Sequence, residues 1–181
     1  MVYDSSYVFQ GDTTRHVSTG FIDVPVIGLR IDTRGVLNPM IVNSLSINSS
    51  GCTDFAHDVS TVKVYFTGSD STFTTNRLFG TTTHLSAPVS GQDTLSYGPN
   101  YFWIAYDVSD TASIGNKLDA SCTQATFAGG GSCTPSITNP PGALTINYCI
   151  PEFAYANTGC TYGYGINSVV TSNAITNIEN M

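Results

Sequence analysis

Five cysteines are the side chains whose spacing most directly predicts a chemical bond in this chain. Cys122 and Cys133 stand eleven residues apart around a Gly-rich stretch. Cys149 and Cys160 have the same separation around a second short loop. Closed loops of this size favour disulfides in an exported protein over zinc, because no Cys-x-x-Cys occurs and the histidines are distant. Cys52 is left over, either as a free thiol or as the partner of another segment or chain.

Residue types suited to hydrolytic catalysis occur only singly. A serine hydrolase needs a base oriented by a carboxylate and a serine on a strained turn, and the chain has no Gly-x-Ser-x-Gly. In the one neighbouring pair, His57-Asp58, adjacent side chains of a strand would point apart, so we expect it to decorate the surface. The aspartates offer no distinct facing pair for a glycosidase, and the arginines are dispersed. The sequence predicts no enzymatic activity and no cofactor.

Asp107, Asp110 and Asp119 cluster in sequence around a predicted loop that also contains Asn116. Hard cations such as calcium bind several oxygen ligands of this kind. Asp and Asn are equally the residues that cap and close turns, and no EF-hand or nonapeptide pattern occurs. We therefore expect these side chains to close turns and to bind no metal. If calcium were bound, these three aspartates would be its ligands.

Tyr101 and Trp103 are the candidate ligand contacts, because exposed aromatic rings stack on sugars. They belong to residues 100–109, a run in which both odd and even positions are apolar. Such a run predicts a strand covered on both faces, or a strand with one aromatic face used for contact. For Tyr101 and Trp103 both alternatives stay open. We assign the even-numbered residues to the core: Phe102, Ile104 and Tyr106.

The elements that would position these residues are strands. Short alternating apolar stretches recur between turns rich in Gly, Pro, Asn and Asp. Residues 21–32 form one long predicted strand, in which Pro25 indicates an edge position or a bulge. No window favours an amphipathic helix beyond a turn at residues 53–57. The pattern predicts an all-β fold, an antiparallel two-sheet β-sandwich of the Ig-like or jelly-roll-like kind, over residues 1–146.

Composition and charge exclude several partners. Charged residues make up 10% of the 181, and the formal net charge is −7. Six Lys and Arg cannot form the basic stripe that nucleic acid requires, and no apolar run is long enough for membrane insertion as a helix. The first residues lack the basic and apolar regions of a signal peptide, so the chain is cytosolic or its signal has been removed. The predicted disulfides favour the extracellular alternative.

The sequence changes character near Asn147. Residues 147–181 are too few for an independent core, so we expect a disulfide-stapled extension. It would pack on the sandwich, join a partner or begin a second domain. Its apolar residues 166–178 could also be donated as a strand to another copy, although pairing within the same chain is the simpler expectation.

Two stretches resemble a known family. Residues 64–80 and 95–108 are similar to the N-terminal domain that accompanies BNR-repeat sialidases in Bacteroidetes. The similarity continues through residues 112–122 and 140–142 and covers roughly residues 5–146. Residues 148–169 resemble the start of a GEVED-type domain, without the motif that gives this domain its name.

The resemblance implies a large secreted or cell-surface protein, often exported by the type IX system, with no established catalytic residues in this domain. We therefore expect a non-catalytic module for adhesion or extracellular assembly, whose partners are other protein modules, subunits or glycans. The alternatives are an accessory, glycan-binding domain of a secreted sialidase-like hydrolase, and the protomer of a filament with strand exchange through the tail. The family also implies O-glycosylation after Asp, at Thr13, Ser71, Thr94 and Thr111.

Overall fold

The computed structural model describes residues 1–148, and strands account for nearly all of their regular structure. The elements in chain order are β1 (Val2–Gln10), β2 (Val17–Ser18), β3 (Val24–Arg34), β4 (Ile41–Asn48), α1 (Phe55–Asp58), β5 (Val59–Gly68), β6 (Leu78–Thr82), β7 (Val89–Thr94), β8 (Gly98–Val108), β9 (Lys117–Leu118), β10 (Ser121–Phe127), β11 (Ser132–Cys133) and β12 (Leu144–Asn147). The all-β prediction is confirmed for this part of the chain, where the one helix is the four-residue α1.

Two antiparallel sheets enclose the main core in a sandwich-like arrangement. The first has the order β1-β3-β8-β5-β6, and the second has the order β11-β10-β4-β7. A third, three-stranded sheet, β2-β12-β9, contributes Val17, Leu118 and Ile146 to the same core. Its β2–β12 pair is parallel, which differs from the purely antiparallel prediction.

The central strand β8 supplies the core residues that the sequence predicts. Phe102, Ile104 and Tyr106 are each 0% exposed. The Phe102 ring packs against Phe66 and Phe79, with centroids 4.7 Å and 5.3 Å away. Burying a large apolar side chain in this way stabilises the fold by about 1.5–3 kcal/mol. The alternation of β8 therefore fixes which side of the first sheet faces the second.

Pro25 lies at a bulge inside the sheet. Its strand, β3, runs between β1 and β8, but the pairing with β1 ends at Ile27, so Pro25 is paired with β8 alone. The register of β3 against β8 shifts between Pro25 and Ile27. Proline has no N–H for the ladder, and a bulge accommodates that gap.

The predicted disulfide between Cys122 and Cys133 is wrong, because both residues are buried free thiols. The register of β10 against β11 pairs Cys133 with Ala125. Cys122 therefore lies three residues further along its strand, roughly 10 Å at the usual strand rise. A disulfide needs Cα atoms about 4.4–6.8 Å apart. Burial instead raises the pKa of the Cys122 thiol to about 12, so it stays protonated.

Cys52, the cysteine left over in the sequence prediction, is likewise a free thiol. Its Sγ donates to the backbone oxygen of Asp119 at 3.1 Å. The other predicted pair, Cys149 and Cys160, lies outside the described residues. No disulfide in residues 1–148 supports the stapled extension.

Candidate functional site

A row of paired residues crosses the outer face of the first sheet, the face that points away from the main core. It follows the register across four neighbouring strands: Phe9, Gly28, Trp103 and Tyr65. A Cβ added at Gly28 would overlap the Phe9 ring. Because glycine leaves this position open, Phe9 crosses β3 and meets Trp103 edge-on, with centroids 5.2 Å apart at 85°.

Phe73, from the loop between β5 and β6, extends this row. Its ring centroid lies 5.7 Å from that of Tyr65 and 5.8 Å from that of Trp103. Trp103 is only 8% exposed. Within residues 1–148, the side chains that cover it come from its own sheet and from one loop. Tyr101 meets Phe9 at 6.2 Å. We call these five residues the outer aromatic cluster: Phe9, Tyr65, Phe73, Tyr101 and Trp103.

A second row beside the cluster holds a cation between two tyrosines. Tyr7, Arg30 and Tyr101 are opposite one another on β1, β3 and β8. The Arg30 guanidinium carbon lies 5.7 Å from the Tyr7 ring centroid and 5.9 Å from that of Tyr101. Its Nη2 also donates to Asp32 at 2.8 Å. The positive charge of Arg30 is therefore neutralised within the sheet.

A charged network borders the other side of the cluster. Lys63 Nζ lies 2.9 Å from an oxygen of Asp23 and 2.8 Å from an oxygen of Asp107. Tyr65 donates its hydroxyl to Asp23 at 2.5 Å. Burial opposes the charge of Asp23, but the hydrogen bonds from Tyr65 and Lys63 outweigh it and lower its pKa. Burial and the hydrogen bond to Asp23 raise the pKa of Tyr65 to about 12.

The structure brings both candidate contact residues to one face. Tyr101 is half-buried and keeps part of its ring at the surface, whereas Trp103 is enclosed. For Trp103 the covered-strand alternative is therefore the one that the fold shows. Sequence reasoning missed Phe9 and Tyr65 as neighbours of Trp103. Alternation in β1 and β5 could have indicated that both point outward, but the sequence does not reveal the strand order that brings them together.

The three calcium candidates do not form a metal site. Asp107 is engaged by Lys63 and by the backbone N–H of Asp23, and Asp110 is exposed. Asp119 is buried and accepts from a backbone N–H, and burial raises its pKa. Residues 1–148 contain no group of three His, Cys, Asp or Glu side chains that could hold a metal ion.

The prediction that His57-Asp58 decorates the surface is wrong for Asp58, which is fully buried. The pair lies in α1 rather than in a strand, so its side chains converge, with His57 Nδ1 3.2 Å from Asp58. Asp58 also accepts from the backbone N–H of Ser113 at 2.9 Å and from Asn116 at 2.7 Å. These bonds outweigh burial and lower the pKa of Asp58. Ser113 contributes its backbone N–H and not its hydroxyl. The arrangement therefore holds a loop in place and does not activate a serine nucleophile.

The predicted O-glycosylation acceptors all lie at the surface: Thr13, Ser71, Thr94 and Thr111. In two of the motifs the aspartate closes a tight turn. Asp12 accepts from the Thr14 N–H at 2.9 Å, and Asp70 accepts from the Thr72 N–H at 2.8 Å. Their modification stays a prediction.

None of the helical structure in the described residues is both long and apolar enough to cross a membrane. The stretch that resembles a GEVED-type domain, residues 148–169, lies outside the described residues except for Tyr148.

Comparison with known proteins identifies the family. No curated protein matches the chain. A family model described as the N-terminal domain of BNR-repeat neuraminidase matches residues 8–130. The matched range is more than half of the 181 residues and includes the whole outer aromatic cluster. The chain therefore belongs to the family of N-terminal domains of BNR-repeat neuraminidases.

Proposed function

We propose that the chain is a non-catalytic accessory domain of a secreted, neuraminidase-like protein, and that it binds glycans on the outer face of its first sheet. The family supports the accessory role, because the matched domain is the N-terminal one and not the BNR-repeat part that carries catalysis. The described residues support the non-catalytic role, because each of their three buried carboxylates is bound by other groups: Asp58 by Ser113 and Asn116, Asp93 by Arg77, and Asp119 by a backbone N–H.

The outer aromatic cluster is the observation that carries the glycan proposal. The solvent-facing side of an antiparallel sheet is ordinarily polar, and here it presents rings from β1, β5, β8 and one loop. Aromatic rings offer flat apolar faces that suit the C–H faces of sugars, and a buried aromatic contact contributes substantially to binding. Phe9, Phe73 and Tyr101 are the half-buried members of the cluster, and Tyr101 is the one that the sequence already predicts as a contact.

Glycan binding by the purified chain tests this proposal directly. We expect binding on a glycan array, and a loss of roughly three- to tenfold in affinity for Tyr101→Ala, the range of one aromatic contact. Phe21→Ala is the matched control, because Phe21 is a partly exposed aromatic residue whose ring partner is His16, away from the cluster.

Two results would contradict the proposal. An array without bound glycan at high protein concentration would remove the glycan-binding role. Release of sialic acid from a sialylated substrate by the purified chain would remove the non-catalytic role.

Adhesion and extracellular assembly stay predictions of the sequence. The filament alternative depends on strand donation by residues 166–178, which lie outside the described residues.

A further inference from the structure

Trp103 carries a buried hydrogen-bond donor without a partner. Its side chain is 8% exposed, and no acceptor among residues 1–148 reaches its Nε1. An indole N–H can only donate, and buried tryptophans usually find an acceptor for it. An orphaned buried donor is therefore a feature that requires an explanation.

Two phenylalanines cover Trp103, and they are held very differently. Phe9 belongs to β1 and is fixed by the pairing of that strand with β3 and by the open position at Gly28. Phe73 belongs to the loop between β5 and β6, outside any strand. Neither phenyl ring offers a hydrogen-bond acceptor of its own beyond a weak π face.

The loop that carries Phe73 is bonded chiefly to itself. Thr67 Oγ1 donates to the Asp70 backbone oxygen at 2.5 Å, and the Thr72 N–H donates to the Asp70 side chain at 2.8 Å. Within the described part of the chain, residues 71–76 make no hydrogen bond to the rest of the sandwich. The Phe66–Arg77 backbone bond closes the sheet behind the loop. A movement of the loop that displaces Phe73 from Trp103 would therefore break no hydrogen bond between strands.

The charges around the cluster decide the class of ligand. Both nearby cations are already neutralised, Arg30 by Asp32 and Lys63 by two aspartates. The whole chain carries a formal net charge of −7. A carboxylate on a sugar would find no unpaired cation here and would be repelled at long range. An uncharged sugar needs no unpaired cation and is not repelled by the negative charge of the chain.

We propose that Phe73 is a displaceable cover over Trp103, and that the site beneath it binds one uncharged hexopyranose ring. When Phe73 moves aside, the apolar face of the sugar stacks on the uncovered indole ring, and a hydroxyl that extends past the ring edge accepts the hydrogen bond from Nε1. This inference rests on the proposed glycan-binding function and specifies its site and its ligand class.

Tryptophan fluorescence tests the inference, because Trp103 is the only tryptophan of the chain. The full chain is titrated with lactose and with 3′-sialyllactose, as wild type, as Phe73→Ala and as the control Phe21→Ala. We expect Phe73→Ala to bind lactose at least threefold more tightly than wild type, because the cover no longer competes. We expect the control to match wild type, and sialyllactose to bind more weakly than lactose in every variant.

A second variant isolates the orphaned donor. Trp103→Phe in the Phe73→Ala background keeps an aromatic ring and removes the N–H, so we expect lactose affinity, measured by calorimetry, to fall at least threefold. Phe73→Leu replaces Phe73→Ala if the alanine variant does not keep the circular dichroism of the wild type.

The outcomes separate this inference from the proposed function. If wild type binds glycans but Phe73→Ala binds lactose no more tightly, the cover is wrong and the function stands. If sialyllactose binds more tightly than lactose, the uncharged class is wrong. If neither the wild type nor Phe73→Ala binds any glycan in solution or on an array, both proposals fail.

Discussion

The two faces of β8 are buried to a similar degree by different means. Phe102 and Tyr106 on the inner face belong to the main core, to which the strands of all three sheets contribute. Trp103 on the outer face is covered by Phe9 and Phe73, side chains that reach it from its own sheet and from a loop. Inner burial can be lost only by separating the sheets, whereas outer burial can be lost by moving a side chain. Similar burial therefore stabilises the fold on the inner face, whereas on the outer face it can be reversed to let a ligand reach Trp103.

Phe102→Ala should have the largest effect, because it leaves a cavity between two sheets that cannot close around it. We expect a loss of about 3–5 kcal/mol in the free energy of unfolding, measured in urea. Phe73→Ala should cost about 1 kcal/mol, because solvent can fill the space that a loop residue leaves. Losses of equal size would mean that the outer cluster is a second core, and the comparison would fail.

Gly28→Ala sharpens the comparison within the outer face. The added Cβ would overlap the Phe9 ring, so Phe9 must leave Trp103 or the strands must shift. We expect roughly 1–3 kcal/mol of destabilisation, the range for overpacking. Phe9→Ala removes the obstacle, so in a double-mutant cycle most of the Gly28→Ala effect should disappear. Simple additivity of the two changes would contradict the crossing of Phe9 over Gly28.

Acid should weaken the charged network on the outer face. The pKa of Asp23 is lowered in the folded state, so its contribution is fully present above the unfolded pKa of about 3.9 and is lost as pH falls through the folded pKa. We expect Asp23→Asn to cost about 1 kcal/mol at pH 7 and progressively less below pH 4. Urea unfolding of both proteins between pH 7 and pH 2 measures this difference. A cost that persists undiminished at pH 2 would exclude the charge of Asp23 as its origin.

Thiol chemistry should have no effect on the inner face. Cys122 and Cys133 are free, so alkylation of the unreduced, unfolded chain should label each in its own peptide. In a Cys149→Ala/Cys160→Ala variant, a reducing agent should leave the melting temperature unchanged. A peptide that links Cys122 to Cys133 would contradict the register of β10 and β11.

The inner face was predictable from the sequence, and the outer face was not. Alternation in β8 identifies Phe102 as a core residue, because a period of two fixes the side to which each residue points. The same alternation says only that Trp103 points the other way. Whether it meets solvent depends on Phe9 and Phe73, which come from distant parts of the chain. Long-range strand order and a loop conformation decide that, and neither has a local signal.

The cysteine prediction failed for a related reason. Eleven residues around a Gly-rich turn suit a closed loop, but a disulfide depends on register to within one residue. The turn pairs Cys133 with Ala125, and a bulge beside Cys122 changes its pairing with β4. For Pro25 the sequence offered an edge position or a bulge, and the structure combines them: the pairing with β1 ends at Ile27, and the register against β8 shifts between Pro25 and Ile27.

The parallel pair of β2 and β12 gives the domain an order of assembly. Ile146 lies opposite Val17, and both are completely buried. Val17 therefore gains its partner strand only when residues 144–147, near the far end of the described chain, are in place. Contacts between such distant residues make folding slow. The last described strand thus completes the third sheet, because it lies between β2 and β9 and pairs with both.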